Sequence, residues 1–405
     1  MPQTTPLCPY FGECGGCTAQ HISYQVQIEN KKNVVANALK KNNIEYDKEI
    51  QVFAGNEYNY RNRMDFIFSF QGPALRKKDK FNKFVPIKRC EISNEKINSL
   101  LTEVWDWFEA EKNKTNADAS KNNAADNNHS INLATFDINK FTGCLKYVVI
   151  RAPENLDSTN SASSTISFVL NSDSPKLAEH IEAIKKFSET CSAKNVVIAK
   201  VERTKDESIS RDCFAVKGTT DIEESLNGKK ILFSSQSFFQ NNTKMAEKMI
   251  AYCKDAVKKY ADKYTVLVDL YGGSGTFGIS LADLFYKCYI IDNDTLNISC
   301  AKENIAANNI KNTEATCADA TSLQINFSDA VVITDPPRSG MDQKAIKKLL
   351  QLMPKAIIYI SCNPQELAKE LKFFKKHYSL ESISVFDLFP QTVHVEAVAE
   401  LKRRE

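Results

Sequence analysis

From about Phe238 to the C-terminus, short apolar runs alternate with helix-length segments, and this rhythm constrains the fold more than any other feature of the chain. The runs cover residues 266–270, 290–291, 331–333 and 356–360. Continuous runs of this length read as strands buried on both faces, and their alternation with helices predicts a doubly wound, mostly parallel sheet. Such sheets place their chemistry just beyond the carboxyl ends of the strands. Those ends carry a glycine-rich loop at Asp269–Gly278, Asp292, an Asp335-Pro336-Pro337-Arg338 turn and a Ser361-Cys362-Asn363-Pro364 turn. The expected class is α/β, with a Rossmann-like domain over residues 236–405 preceded by an α+β domain over residues 1–235.

The first part is less regular. The spacing predicts an amphipathic helix over residues 24–41 and strands at 145–151 and 165–170, joined as a hairpin by the polar segment 154–164. A helix over residues 176–190 should follow, with Ser174 as its cap and Pro175 in its first turn. Strands are expected at 196–201 and 213–217. Residues 112–132 are rich in Asn, Ala and Asp with almost no large apolar side chains, and read as a disordered or surface insertion.

With 405 residues, 42% of them hydrophobic, the chain can bury a large core. No run is long enough to span a bilayer and the N-terminus has no signal-peptide pattern. The twelve cysteines of such a chain suit a cytoplasmic protein with metal-bound and catalytic thiols better than a secreted disulfide framework. A formal charge of +3 neither requires nor excludes a nucleic acid. Locally, Arg76, Lys77, Lys78 and Arg89 crowd one span with Phe81 and Phe84 between them, and Arg61 and Arg63 lie just upstream. That pattern fits phosphate contacts with aromatic stacking on RNA, and equally a solvated lysine-rich loop.

Gly273, Gly275 and Gly278 spell the dinucleotide fingerprint, which would suit a nicotinamide-dependent oxidoreductase. Asp269 argues otherwise. A carboxylate at the strand end repels a pyrophosphate but suits a ligand with an ammonium and a sulfonium centre, so the loop favours S-adenosylmethionine. Asp292 ends the next strand, where a carboxylate binds ribose hydroxyls. Asp319 follows the third strand, near the adenine. Cys362, at a strand end, suits a nucleophile, and Glu396, in an alternating strand over 393–401, suits a base, with His394 two residues away on the same face. Cys288 and Cys300 read as small buried apolar residues. Cys8, Cys14 and Cys17 have the spacing C-x5-C-x2-C, with Gly15 and Gly16 between them, and Cys90 supplies a fourth thiol. Four thiolates suit either a [4Fe–4S] cluster or zinc.

Taken together, Asp335-Pro-Pro-Arg-Ser-Gly340, Ile360-Ser-Cys-Asn-Pro364, Phe389-Pro-Gln-Thr-Val-His-Val-Glu396 and Ser237-Phe-Phe-Gln-Asn241 resemble the RNA uridine-5-methyltransferases over essentially the whole chain. The resemblance implies C5-methylation of a uridine in structured RNA, either tRNA or rRNA, with Cys362 as nucleophile and Glu396 as base. It implies Gln240, Tyr271, Thr276, Asp292, Asp319 and Asp335 around the cofactor, with Gln240 and Asp335 also touching the uracil edge. Arg338 is expected among the RNA contacts. The cysteine pattern matches cluster-bearing members, which implies a [4Fe–4S] cluster that ties the N-terminal segment to the basic stretch. Asp292 stands where relatives usually carry Glu, and Thr276 where Asn is common. Only seven residues precede Cys8, so a β-barrel RNA-binding module found in many members is expected to be missing. A monomer is expected. A relative that keeps the fold without catalysis is the alternative, disfavoured by the presence of both Cys362 and Glu396.

Overall fold

The computed structural model describes residues 3–119, 133–154, 164–321 and 329–405. The chain opens with α1 (Tyr24–Lys41), as the spacing predicts, and a short strand β1 (Gln51–Phe53). A first sheet then forms from β2 (Arg63–Ser69), β3 (Gly72–Lys77), β4 (Lys80–Pro86), β5 (Leu145–Arg151), β6 (Thr165–Asn171), β7 (Asn195–Val201) and β8 (Cys213–Lys217). Its order is β4-β3-β2-β5-β6-β7-β8. The strands β5 and β6 pair antiparallel, Leu145 opposite Leu170, as the hairpin reading requires. Two helices, α2 (Glu95–Ala119) and α3 (Leu177–Thr190), cover one face. Val104, Phe108 and Ile184 pack there with Phe66, Phe68 and Phe168, all fully buried or nearly so.

Two expectations change here. Residues 112–119 continue α2 rather than leave the fold, because the segment has neither Gly nor Pro to stop a helix already nucleated on the core. The remainder of that insertion, and most of the 154–164 segment, lie outside the described residues. Ser174 is not the cap of α3: Lys176 occupies that position, and the Ser174 hydroxyl accepts the Lys176 N–H at 3.3 Å in the preceding turn.

The hairpin β9 (Asp221–Leu226) and β10 (Lys229–Ser234) leads to α4 (Thr243–Lys258). The second sheet follows with β11 (Val266–Leu270), α5 (Thr276–Leu281), β12 (Lys287–Asp292), α6 (Thr295–Ala307), β13 (Thr313–Cys317), β14 (Ala330–Thr334), α7 (Gln343–Leu352), β15 (Ala356–Ser361), α8 (Pro364–Phe374), β16 (Tyr378–Phe386) and β17 (Glu396–Arg403). Its order is β1-β16-β17-β15-β14-β11-β12-β13. Every neighbouring pair is parallel except those of β17, which runs antiparallel to β15 and β16. The order turns back between β11 and β14, which opens a crevice at their carboxyl ends.

The sheets do not divide the chain at residue 235. α1 packs on α8, with Val35, Ala38 and Leu39 among Leu367, Leu371 and Phe374, and β1 extends the second sheet beside β16. The N-terminal segment therefore belongs physically to the C-terminal layer. Among the described residues, no helix is long and apolar enough to cross a membrane.

Candidate active site

The glycine loop leaves β11 at Leu270. Tyr271 takes a left-handed backbone (φ 59°), as do Gly273 (φ 56°) and Gly275 (φ 90°), so the chain folds back and starts α5 at Thr276. At Gly275 a side chain would also collide, since a Cβ would lie 2.8 Å from Ile279 and 2.9 Å from Ile290. Asp269 sits beneath this loop, 1% exposed, with Oδ2 accepting the Gly278 N–H at 2.7 Å. Its Oδ1 has no hydrogen-bond partner among the described residues. Burial, with Asp335 and Asp292 nearby, pushes its carboxyl up to about 8. Asp269 thus anchors the loop and still presents a free oxygen.

Asp292, at the end of β12, accepts the Gly273 N–H on Oδ2 at 3.0 Å and the Asp294 N–H on Oδ1 at 2.8 Å. It fixes the loop that would lie over a ribose. Asp319 follows β13 on the surface, where the Thr321 side chain and backbone hold its carboxyl below the ordinary value. Its charge also reaches the Tyr271 phenol, which burial first and Asp319 second push up to about 12. Leu270 pairs with Thr334, so Tyr271 and Asp335 directly follow the ends of two neighbouring strands. Gln240 comes from the turn before α4 and donates from Nε2 to Asp335 Oδ2 at 3.3 Å.

The thiol and carboxylate that the sequence singles out lie one strand further. Ser361 of β15 pairs with Ala397 of β17, so the next step of that antiparallel ladder puts Cys362 across from Glu396. Residues facing each other in this way have Cβ atoms roughly 5 Å apart. Cys362 stands in a tight turn: the Ser361 hydroxyl accepts the Asn363 N–H at 3.1 Å, and the Asn363 side chain caps α8, with Pro364 in the first turn. The thiol is half-buried, and burial, Glu396 and Asp335 push it up to about 11, while Arg338 pulls it back. Glu396 is 5% exposed and raised well above the ordinary carboxylate range by burial and by Asp335. Asp335 itself is raised by burial to about 7. Burial and the mutual proximity of these acidic groups thus raise all three, the pattern expected where titratable groups are gathered at one site.

One sequence expectation is corrected at this point. β17 begins at Glu396, and residues 389–394 form a loop before it; His394 is exposed there rather than on a shared strand face. Burial first, then the charges of Arg338, Lys31 and Arg61, hold His394 below the ordinary histidine value, and Arg338 is exposed. Arg61 also stacks 5.8 Å above the Phe389 ring.

Most of the basic residues singled out for RNA are met within the chain. Arg76 lies 3.7 Å over Phe81 and pairs with Asp206 at 2.6 Å. Arg63 pairs with Asp65 at 2.7 Å, Arg89 with Glu95 at 2.6 Å, and Lys77 lies 3.9 Å from Glu13. Lys78 is exposed. Sequence reasoning missed Asp206, which lies 130 residues from Arg76 and gives no local signal.

Cys8, Cys14, Cys17 and Cys90 line one cavity of about 520 Å³ together with Arg61 and Arg63. All four are free thiols. The Gly16 N–H donates to Cys14 Sγ at 3.3 Å, and Gly15 N donates to Arg76 O at 2.9 Å, tying the cysteine loop to the β3–β4 hairpin. Burial raises Cys8, Cys14 and Cys17, the last to about 12, and the neighbouring thiols add to each shift. Among the described residues, no three His, Cys, Asp or Glu side chains close on a single metal position. Elsewhere Cys288 is buried in the second core, as expected, whereas Cys300 is buried with Asp221 and Glu303 close enough to act on its thiol.

Comparison with known proteins supplies the context for this geometry. The family model of tRNA (uracil-5-)-methyltransferases matches residues 158–404. An uncharacterised RNA methyltransferase of Caldanaerobacter subterraneus subsp. tengcongensis is 30% identical over 410 residues, covering 98% of this chain and 84% of that protein. The tRNA (uracil(54)-C(5))-methyltransferase of Pyrococcus abyssi is 27% identical over 398 residues, covering 98% and 85%. The crystal structure of the P. abyssi tRNA (uracil-54, C5)-methyltransferase in complex with S-adenosyl-L-homocysteine superposes with a TM-score of 0.73 at 26% identity, over 95% of this chain and 85% of that one. The chain belongs to the tRNA (uracil-5-)-methyltransferase family.

Proposed function

We propose that this S-adenosylmethionine-dependent RNA methyltransferase methylates C5 of one uridine in a structured RNA, with tRNA the first substrate to test. The observation that carries the reading is the convergence of Cys362, Asp335 and Glu396 at the ends of three adjacent strands, beside the glycine loop. A tRNA is favoured because the P. abyssi enzyme that carries this substrate in its name is similar along 98% of the chain.

Bound adenosylmethionine supplies a methyl group on a sulfonium centre. Tyr271, Gly273, Gly275, Thr276, Asp292 and Asp319 would hold it in the crevice, with the free Oδ1 of Asp269 available to its ammonium group. A uracil C5 is a weak nucleophile until C6 carries a substituent. Cys362 loses its proton to solvent water, the resulting thiolate adds through Sγ to C6, and the C5–C6 π pair moves to C5 and O4. C5 then takes the methyl group with that electron pair, the methyl–sulfur bond breaks, and S-adenosylhomocysteine is left. Glu396 in its carboxylate form removes the C5 proton, the C5–C6 double bond re-forms, and the Cys362 Sγ leaves with its electron pair. Gln240 and Asp335, hydrogen-bonded to each other, would read the uracil edge of the flipped-out base. Exposed Arg338 would meet phosphates, as would Arg61 where it is not covered, whereas Arg63, Arg76, Lys77 and Arg89 would have to exchange acidic partners for them.

The four free thiols on one cavity fit a [4Fe–4S] cluster held by Cys8, Cys14, Cys17 and Cys90, which would brace the cysteine loop against the hairpin. No step of the methylation requires electron transfer. Stoichiometric zinc without iron in protein purified under nitrogen would refute this assignment. A cytoplasmic location is in keeping with the tRNA-modifying relatives that this chain resembles. The mechanism is tested with Glu396→Gln, which should accumulate a covalent protein–RNA complex resistant to denaturant. Normal turnover by that variant would remove Glu396 as the base.

A further inference from the structure

The loop between β16 and β17 delivers Glu396, and its backbone is fastened by parts of the chain remote from it. The carbonyl of Leu388 accepts from Asn242 Nδ2 at 3.1 Å, in the turn that also carries Gln240. The carbonyl of Phe389 accepts from Lys31 Nζ at 2.9 Å, and that of Pro390 from the Tyr60 hydroxyl at 2.9 Å. The carbonyl of Gln391 accepts two N–H groups, Thr18 at 2.9 Å and Ala19 at 3.1 Å. Four consecutive carbonyls are thus held by four different segments.

Gln391 is the centre of this arrangement. It is 1% exposed and lies in the left-handed region (φ 66°), a conformation a glutamine side chain disfavours and that surrounding contacts must hold in place. Gln27 of α1 holds it on both sides. The Gln27 Nε2 donates to Gln391 Oε1 at 2.9 Å and to Ala19 O at 3.1 Å, while Gln27 Oε1 accepts the Gln391 N–H at 3.0 Å. The Gln391 amide also donates to Glu57 at 3.2 Å. At the start of the loop, Lys31, one turn along α1, pairs with Asp387 at 2.5 Å, both side chains being buried. Thr18 directly follows Cys17, so the cysteine loop ends on the backbone of the loop that places the base.

We infer that Gln27 and Gln391 are positioning residues for proton removal: their paired amides lock the loop before β17 so that Glu396 reaches the C5 proton, and they tie that step to the segment following Cys17. Neither residue touches the reacting atoms. Adding the thiol and transferring the methyl group depend on Cys362 and the crevice, which the lock does not contact. Loosening it therefore slows the last step alone, and the enzyme stalls with methylated uridine still attached to Cys362.

This inference rests on the base role of Glu396, and the experiment separates the two. Gln27→Met keeps the volume and removes every amide bond; Gln391→Gly keeps the backbone turn and removes the side-chain bonds. Each is compared with wild type and with Glu396→Gln on unmodified tRNA transcript and labelled adenosylmethionine. Three quantities are read: single-turnover methyl transfer, steady-state turnover, and the fraction of protein in a denaturant-resistant complex with RNA. The expected result is methyl transfer close to wild type, turnover lower by roughly tenfold or more, and an accumulated covalent complex, as a displacement of about 1 Å at a catalytic group produces. Wild-type turnover in both variants overturns the inference. So does parallel loss of methyl transfer and covalent complex, which marks a purely structural role. If Glu396→Gln forms no complex and turns over normally, the base assignment fails, and this inference fails with it.

Discussion

Replacing Lys31 with Met should cost more stability than deleting the whole ion pair that it forms. The Lys31 and Asp387 side chains are 4% and 0% exposed and lie 2.5 Å apart. Burial pulls the lysine below its ordinary value even though Asp387 holds it up, so desolvation outweighs the attraction of its partner. A pair of this kind adds little net stability, yet removing one member leaves a buried charge uncompensated, at about 3–5 kcal/mol. That is a large share of the roughly 5–15 kcal/mol by which a domain is stable. With an m-value of about 3 kcal/mol per molar urea, the top of the range for small proteins, the midpoint of Lys31→Met falls by roughly 1–1.7 M, and by less if m is larger. Lys31→Met/Asp387→Asn removes both charges and should recover to within about 1–2 kcal/mol of wild type. Urea unfolding must be followed by far-UV circular dichroism, because both tryptophans, Trp105 and Trp107, sit on α2 in the other core and would report the wrong layer. The reasoning is refuted if the single variant loses less than about 1 kcal/mol, or if the double variant is no more stable than the single.

Two further outcomes test the site. The Cys362 thiol is pushed up to about 11 by burial, Glu396 and Asp335 and pulled down by Arg338, so it is scarcely ionised at neutral pH in the free enzyme. Its alkylation by iodoacetamide, read peptide by peptide in a mass spectrometer, should be slow at pH 7 and accelerate as pH rises toward that value. Arg338→Gln should slow it at every pH below; a rate independent of pH, or faster labelling in that variant, contradicts the assignment. Gly275→Ala forces a Cβ to 2.8 Å from Ile279 at a φ of 90°, a strain of about 1–3 kcal/mol, and calorimetry should show adenosylhomocysteine binding weakened by about tenfold or more. Unchanged affinity would mean that the loop does not shape the cofactor crevice.

The sequence reveals those parts of this molecule that depend on local pattern. The bounds of α1, the β5–β6 hairpin and the strand rhythm from Val266 onward follow from periodicity and turn residues. The turn carrying Cys362 is equally legible, because Ser361, Asn363 and Pro364 each have a short-range reason to be there. What stays hidden depends on distant partners. β1 is only three residues long and is a strand because β16 offers it an edge. β17 starts at Glu396 rather than at Val393, and the loop before it gives the carbonyls of residues 388–391 to α1, Tyr60, Asn242 and the segment after Cys17. The pairing of Gln27 with Gln391 spans 364 residues, and nothing near either residue announces it. Acidic partners such as Asp206 of Arg76 are silent for the same reason.

The most direct test incubates the purified protein with methyl-labelled adenosylmethionine and unmodified tRNA and large-subunit rRNA transcripts, followed by nucleoside digestion. The account predicts label in 5-methyluridine alone, in the tRNA, and no transfer by Cys362→Ala. Label in another nucleoside, or undiminished transfer by Cys362→Ala, would contradict it.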